Sequence, residues 1–144
     1  MQNDLKNMKL LIDTNIVLDV ILERNEYLDS SASVLKLAGI SNVYEYITAS
    51  SITDVYYIAY KQLKDIAKTK QCIRNILQIL DVADVGKNEI LNALDSDWKD
   101  FEDAVQYSTA IFADFDGIVT RNLKDFSESL IPVYTPEEIL LKFR

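Results

Sequence analysis

Short apolar runs alternate along this chain with longer segments in which apolar residues recur every three or four positions. The short runs predict strands, and the recurrence predicts amphipathic helices. The alternation predicts an α/β fold with a mostly parallel central sheet and helices on both faces. Strands are expected at residues 9–12, 43–48, 82–85, 117–120 and 131–134, and helices at 15–23, 28–38, 50–63, 67–80, 87–94, 100–112 and from 135 onward.

Two helix boundaries carry clear local signals. Gly39 follows the second predicted helix and is typical of a helix-ending glycine. Thr135, Pro136 and Glu138 predict that the last helix begins with a capping box and a proline in its first turn. The 144 residues contain no repeat or linker, so one domain spanning residues 1–144 is expected.

Composition narrows the possible chemistry. Hydrophobic residues make up 49% of the chain, which is enough for a packed core. There is no histidine and a single cysteine, Cys72, which excludes Ser-His-Asp catalysis, an internal disulfide and the usual structural zinc sites. No apolar stretch is long enough for a membrane span or a signal peptide, so we expect a cytoplasmic protein.

The net charge of −8 restricts the partners of the chain. An acidic surface repels nucleic acid unless the acids are clustered around a cation or basic residues are gathered locally. Asp19, Asp97, Glu102 and Asp114 are read as solvated acids, and Asp116 as a turn residue.

Several acids follow strands or open helices. Asp13 ends the first apolar run, Asp54 lies near the start of a predicted helix, and Asp103 follows Asp100 by three residues. Each has a local alternative as a helix cap, a capping-box residue with Ser51, or a first-turn acid. Asp125 and Asn122 follow the fourth predicted strand, where a loop acid is ordinary.

The argument for function is collective, because a parallel sheet brings strand ends and helix starts to one edge. Carboxylates at that edge repel one another unless a cation neutralises them or their pKa values rise. Oxygen ligands select Mg²⁺ or Mn²⁺, as one or two ions, and such sites activate water for phosphodiester cleavage. Asn15 is a candidate to orient Asp13, and Thr14 and Thr120 are candidates to hold a water or a phosphate.

At these positions the sequence resembles the PIN-domain family of metal-dependent ribonucleases, which includes VapC-type toxins of toxin–antitoxin pairs. The matching segments are LIDTNIVLD at 11–19, ITDVYYI at 52–58, DFEDAVQYSTA at 100–110 and DGIVTRNLKDF at 116–126. The resemblance implies a three-layer α/β/α sandwich, a Mg²⁺ or Mn²⁺ site and cleavage of single-stranded RNA. It also implies a possible antitoxin partner and gives no indication of DNA specificity.

Carried over by motif, Asp13, Asp54 and Asp103 match the first three acids of the family. The second acid is commonly Glu, one methylene longer than Asp54. The fourth is commonly Asp where this chain has Asn122, and Asp125 is expected to compensate. The resemblance thus implies one ion held by the first three acids and a weaker second ion near Asp103, Asn122 and Asp125.

Several surfaces have open interpretations. Arg121 is a candidate phosphate contact or the partner of a nearby acid. The basic segment 61–74 either guides RNA or forms a solvated helix face, and Tyr56, Tyr57 and Tyr60 either stack bases or, as the spacing favours, pack in the core. The apolar residues Val17, Ile21, Leu35 and Ile58 are expected in the core, with a homodimer contact or an antitoxin groove as alternatives.

Two other functions compete with the nuclease. An inactive PIN-like binding module is favoured by Asn122 and disfavoured by the three retained acids. A haloacid-dehalogenase-type phosphatase also places an acid at the end of the first strand, but it needs a second aspartate where this chain has Asn15.

Overall fold

A computed structural model describes residues 7–143 and contains five strands and seven α-helices. The expected domain of 1–144 therefore extends at both ends beyond the described residues. Among the described residues, no helix has the length and apolar character needed to cross a membrane. The strands are β1 Met8–Ile12, β2 Val43–Thr48, β3 Asp81–Ala83, β4 Gly117–Val119 and β5 Val133–Tyr134, and the helices are α1 Thr14–Ile21, α2 Leu28–Lys36, α3 Ala49–Leu63, α4 Ile66–Leu77, α5 Lys87–Asp95, α6 Phe101–Phe112 and α7 Pro136–Lys142.

The five strands form one sheet in the order β3-β2-β1-β4-β5, and all neighbouring strands pair in parallel. The chain moves from β1 to β2 and β3 on one side and later returns to place β4 and β5 on the other. The carboxyl end of β1 therefore lies at a topological switch point, where open α/β sheets leave a crevice. Asp13 is the first residue after β1 and occupies this place.

Apolar side chains from the two faces of the sheet enter separate cores. Alternate β1 residues divide between them, since Leu10 and Ile12 pack into one core and Leu11 into the other. The larger core receives side chains from α1, α2, α3, α4 and α7, whereas α6 covers the opposite face and packs against α5. The predicted three-layer α/β/α sandwich with a parallel sheet is confirmed.

The elements lie where the hydrophobic periodicity predicted them, with shifts of a few residues at their ends. Helix α4 begins at Ile66 because the carboxylate of Asp65 accepts a hydrogen bond from the Lys68 backbone N–H at 3.0 Å. The expected strand at 131–134 is reduced to Val133–Tyr134, and the 82–85 strand lies at Asp81–Ala83.

The capping signals are confirmed at two helix starts. Thr135 and Glu138 form the predicted capping box, and Asp100 caps α6 by accepting a hydrogen bond from the Asp103 backbone N–H at 2.9 Å. The capping role suggested for Asp54 is wrong. Thr48 caps α3 instead, because its hydroxyl accepts from the Ser51 backbone N–H at 3.1 Å, and Asp54 lies farther along the helix.

The apolar residues considered as partner surfaces divide between core and surface. Val17 and Leu35 are buried in the larger core, and Ile21 is half-buried at its margin. The core position expected for Ile58 is wrong, because this α3 residue is exposed. One side of α3 therefore presents apolar surface to solvent.

The larger core also contains an acid without a hydrogen-bond partner. Glu45 follows the inward alternation of β2 between Val43 and Ile47 and is only 2% exposed. Neither oxygen of its carboxyl group has a hydrogen-bond partner, and burial raises its pKa to about 9. Glu45 is therefore protonated at neutral pH in the folded protein.

We expect Glu45→Gln to remove a pH dependence of stability. The pKa is raised from 4.5 to about 9 on folding, so the folded state holds the proton more tightly and stability falls as pH rises through this interval. The slope is at most about 1.4 kcal/mol per pH unit for one proton. Urea denaturation across this range measures it. Exposed Glu26→Gln is the control, and an unchanged slope in Glu45→Gln would contradict the assignment.

Candidate metal centre

Asp13 is held by two neutral donors from distant parts of the chain. It occupies the N-cap position of α1, yet its carboxylate makes no capping hydrogen bond. Its Oδ1 accepts from Gln106 Nε2 at 3.0 Å and its Oδ2 from Thr120 Oγ1 at 2.9 Å. Each oxygen retains a further lone pair, so this fixed carboxylate can also coordinate a cation.

The first turn of α6 brings three further carboxyl groups to the same place. Asp100, Glu102 and Asp103 each offer an oxygen atom within 4.8 Å of the others. Glu102 accepts a hydrogen bond from Thr14 Oγ1 at 3.1 Å, which ties α6 to the start of α1. The carboxyl group of Glu102 also lies against that of Asp54 on α3.

Asp125 approaches from a fourth segment, the short 3₁₀ helix Leu123–Phe126 after β4. Its Oδ2 accepts from Asn122 Nδ2 at 2.8 Å, and its charge acts on both Asp13 and Asp103. An open cleft of about 280 Å³ separates this segment from the start of α6. The structure therefore brings the predicted acids together, and we call this set the acid cluster: Asp13, Asp54, Asp100, Glu102, Asp103 and Asp125.

Burial and mutual repulsion disfavour the ionised forms of three carboxyl groups in the acid cluster, those of Asp13, Glu102 and Asp103. Burial raises the pKa of Asp13, against the hydrogen bonds from Gln106 and Thr120. Burial first, then the charges of Asp100, Asp13 and Asp125, raise the pKa of Asp103 to about 7. Burial, followed by its contacts with Asp54, raises the pKa of Glu102 to about 8.

The donor set fits a hard divalent cation. Within residues 7–143 the salt bridges are made by Asp19, and none by the acid cluster. Carboxylate oxygens supply the whole site, and the chain has no histidine. Mg²⁺ and Mn²⁺ prefer such oxygen ligands, and a bound ion relieves the repulsion that raises the pKa values.

A second set of charged residues, centred on Asp19, lies beside the acid cluster. The expectation that Asp19 is solvated is wrong. Asp19 is fully buried and accepts from Arg121 through Nε at 2.9 Å and Nη2 at 3.2 Å. Arg24 and Ser31 donate to the same carboxylate, and the Arg121 guanidinium lies 3.9 Å above the ring of Tyr27. Arg121 thus pairs with an acid, which is one of its two predicted roles, and the hydrogen bond with Asp19 raises its pKa.

The other polar residues predicted near Asp13 form hydrogen bonds with other side chains of the protein. Thr120 is fully buried and donates to Asp13, so it positions that carboxylate away from solvent. Thr14 is buried and donates to Glu102. Asn15 is exposed, and its Oδ1 accepts from Arg24 Nη1 at 3.3 Å, whereas Gln106 and Thr120 provide the hydrogen bonds to Asp13.

Sequence reasoning missed two residues of this site. Glu102 was expected to be solvated, which is wrong, because it is half-buried between Thr14 and Asp54. Its position between Asp100 and Asp103 in the first turn of a predicted helix could have indicated that it belongs to the same site. Gln106 lies one turn beyond Asp103 in a buried run of α6, and a polar residue there indicates a buried hydrogen bond.

Comparison with known proteins places this architecture among described folds. A family model described as the PIN domain matches residues 9–124. No curated protein sequence matches the chain. Several solved structures share the fold, and the match covers nearly the whole length of the three described next.

VapBC2 from Rickettsia felis, bound to a promoter DNA fragment, matches with a TM-score of 0.69 at 19% identity over 89% of this chain and 98% of that one. A toxin–antitoxin complex from Klebsiella pneumoniae matches with a TM-score of 0.66 at 22% identity, over 88% of this chain and 97% of that one. VapC20 from Mycobacterium tuberculosis, a sarcin-ricin loop cleaving toxin, matches with a TM-score of 0.67 at 9% identity, over 87% of this chain and 98% of that one.

We expect Asp103→Asn to stabilise the metal-free protein at neutral and higher pH. Folding raises the pKa of Asp103 from 3.8 to about 7, so ionising it costs the folded state stability as pH rises through that interval. Denaturation in EDTA should give a flatter pH slope for this variant. Exposed Asp84→Asn is the matched control, and equal slopes in both variants would show that Asp103 is not under strain from its neighbours.

Proposed function

This chain belongs to the PIN-domain family, and we propose that it is a Mg²⁺- or Mn²⁺-dependent endoribonuclease that cleaves single-stranded RNA. The observation that carries the proposal is the acid cluster at the sheet switch point. Its carboxyl groups come from separate segments of the chain, and the pKa values of Asp13, Glu102 and Asp103 are raised in a site made of oxygen ligands. Such a set is suited to a divalent ion and a phosphodiester.

Asp13, Asp54 and Asp103 are proposed to hold one ion, with Glu102 completing the set. A second, weaker position lies towards Asp125, with Asn122 as a neutral ligand. When bound, such ions supply a more acidic water molecule and compensation for charge on the scissile phosphate. Asn122 lowers the negative charge available to the second position, so the first position is expected to fill at lower ion concentration.

The residues around the acid cluster have distinct proposed roles. Thr120 and Gln106 fix both oxygens of Asp13, which limits its reorientation as ligands exchange. Glu102 and Asp103 have pKa values of about 8 and about 7, so either carboxyl group can accept or release a proton near neutral pH. Lys124 lines the same cleft as Asp103 and Asp125 and is placed to approach a phosphate.

The fold neighbours support a role in a toxin–antitoxin pair. The Rickettsia protein is named as a VapBC pair, and the Klebsiella structure is described as a toxin–antitoxin complex. We therefore propose that the chain is the toxin and that a small antitoxin protein restrains it. In VapBC2 the DNA is a promoter fragment, so we assign no DNA substrate to this chain.

The phosphatase alternative has less support. It requires an acid two residues after Asp13 that also faces the reacting phosphate. Asn15 occupies that position, is exposed and is hydrogen-bonded to Arg24. The geometry therefore offers one acid at the end of β1 and several from other elements, as expected for the nuclease.

We expect Asp13→Asn to lower the rate of single-stranded RNA cleavage by about 100-fold or more, because the ion would lack its best-fixed carboxylate. Cleavage of an unstructured labelled RNA is measured in Mg²⁺, in Mn²⁺ and in EDTA. Asp84→Asn should cleave like wild type. Wild-type protein that takes up no Mn²⁺ in calorimetry and leaves RNA intact would instead identify an inactive binding module.

Glu102→Gln tests the acid that the family motif does not supply. We expect Mn²⁺ affinity to fall by about 10-fold, because the change removes one negative charge. The glutamine oxygen can still accept the hydrogen bond that Thr14 donates. Fewer protons should also be released when the ion binds, which calorimetry in two buffers of different ionisation enthalpy measures. An affinity and proton release equal to wild type would exclude Glu102 from the ion site.

A further inference from the structure

Two of the three tyrosines of α3 are exposed, so the core packing that their spacing favoured is wrong for Tyr57 and Tyr60. Tyr57 is 68% exposed, Tyr60 is also exposed, and Tyr56 is half-buried. The rings of Tyr56 and Tyr57 meet edge to face with their centroids 5.3 Å apart. Large aromatic side chains on a surface generally indicate a contact site.

Basic residues from α4 line the same surface. Tyr56 and Tyr57 border a cleft of about 390 Å³ together with Lys70 and Arg74, with Ile52, Thr53 and Ile73 completing its walls. Between residues 55 and 80 the chain has five basic residues and one acid, although its total charge is −8. We call this surface the aromatic-basic cleft: Tyr56, Tyr57, Lys70 and Arg74.

The aromatic-basic cleft is continuous with the acid cluster through α3. Tyr57 follows Asp54 by three residues, so the two side chains lie on neighbouring positions of the same helix side. The helical rise between them is about 4.5 Å, less than the length of one extended nucleotide step. A single strand bound at Tyr57 can therefore place a neighbouring phosphate close to Asp54.

We propose that the aromatic-basic cleft binds single-stranded RNA next to the scissile phosphate, with a base stacked on Tyr57 and phosphates held by Lys70 and Arg74. This inference rests on the proposed nuclease function and names the path of its substrate. Exposed aromatic rings beside a basic groove are the usual combination for sequence-tolerant binding of single strands. Duplex RNA offers no free base faces for such stacking.

Charge favours RNA over a protein occupant. Of the residues that the structure describes, Lys70 and Arg74 line the cleft and no acid does, so its charge is complementary to that of a polyanion. It also lies on the helix that carries Asp54, where a substrate must arrive. An apolar peptide would use Ile52 and Ile73 but would leave the adjacent cations without partners.

Fluorescence anisotropy with a short labelled single-stranded RNA, in EDTA, tests binding without cleavage. We expect Tyr57→Ala to raise Kd by about 5- to 100-fold, whereas Tyr57→Phe keeps the ring and stays near wild type. Tyr44→Ala, which removes another exposed tyrosine on β2, should leave Kd unchanged. With Mg²⁺ present, Tyr57→Ala should raise KM and leave kcat nearly unchanged.

The cations are tested by the dependence of Kd on salt. Replacing Lys70 and Arg74 together by alanine should lower the slope of log Kd against log salt concentration by about 0.7 for each phosphate that is no longer neutralised. The double variant Lys36→Ala/Lys87→Ala removes two exposed lysines elsewhere and should keep the wild-type slope. A wild-type slope in the Lys70/Arg74 double variant would show that these cations do not bind the RNA backbone.

The outcomes separate this inference from the nuclease activity. RNA binding by wild type that depends on Tyr57 but is never followed by cleavage would refute the activity and uphold the cleft. Cleavage with normal KM in Tyr57→Ala would refute the cleft alone. If light scattering shows that the wild-type chain is a dimer and that Tyr57→Ala is a monomer with intact RNA affinity, the surface is a contact between copies of the chain and the proposal is overturned.

Discussion

The site depends on a buried carboxyl group, that of Asp13, which has no cationic partner in the part of the chain that the structure describes and lies at the end of the central strand of the sheet. Asp13 is 6% exposed, and its hydrogen-bond partners are an amide and a hydroxyl, neither of which carries charge. Gln106 and Thr120 come from α6 and from the end of β4, so this one side chain joins three elements. A cationic partner would stabilise Asp13 further but would occupy the position that a metal ion needs.

Two neighbouring groups of acids are compensated differently. Arg121 and Arg24 compensate Asp19, so that acid is satisfied within the fold. The start of α6 instead concentrates Asp100, Glu102 and Asp103, which form no salt bridge within residues 7–143. The positive end of the helix dipole offsets part of their repulsion. Burial, together with the remaining repulsion, raises the pKa values of Glu102 and Asp103, so ionising them in the metal-free protein costs stability.

Hydrophobic periodicity predicted the fold well because it reports burial directly, and the parallel order followed from the alternation of strands and helices. The same local reasoning predicted Asp13 and Asp103, which adjoin element ends. It failed for Asp19 and Glu102, whose environments depend on Arg121 and Thr14, which lie 102 and 88 residues away along the chain. It also failed for Tyr57, since a helical apolar spacing does not indicate whether another element covers that face.

Ion binding and RNA binding are linked by distance in this protein. Asp54 and Tyr57, which borders the cleft with Lys70 and Arg74, are separated by about 4.5 Å along α3, which is less than the Debye length at physiological ionic strength. Without an ion, the acid cluster therefore weakens the attraction that Lys70 and Arg74 exert on a phosphate. An ion at the cluster reduces that opposing charge. The same cation that completes the proposed catalytic site also lets a strongly acidic chain hold a polyanion beside it, because electrostatic attraction depends on the local field and not on the net charge.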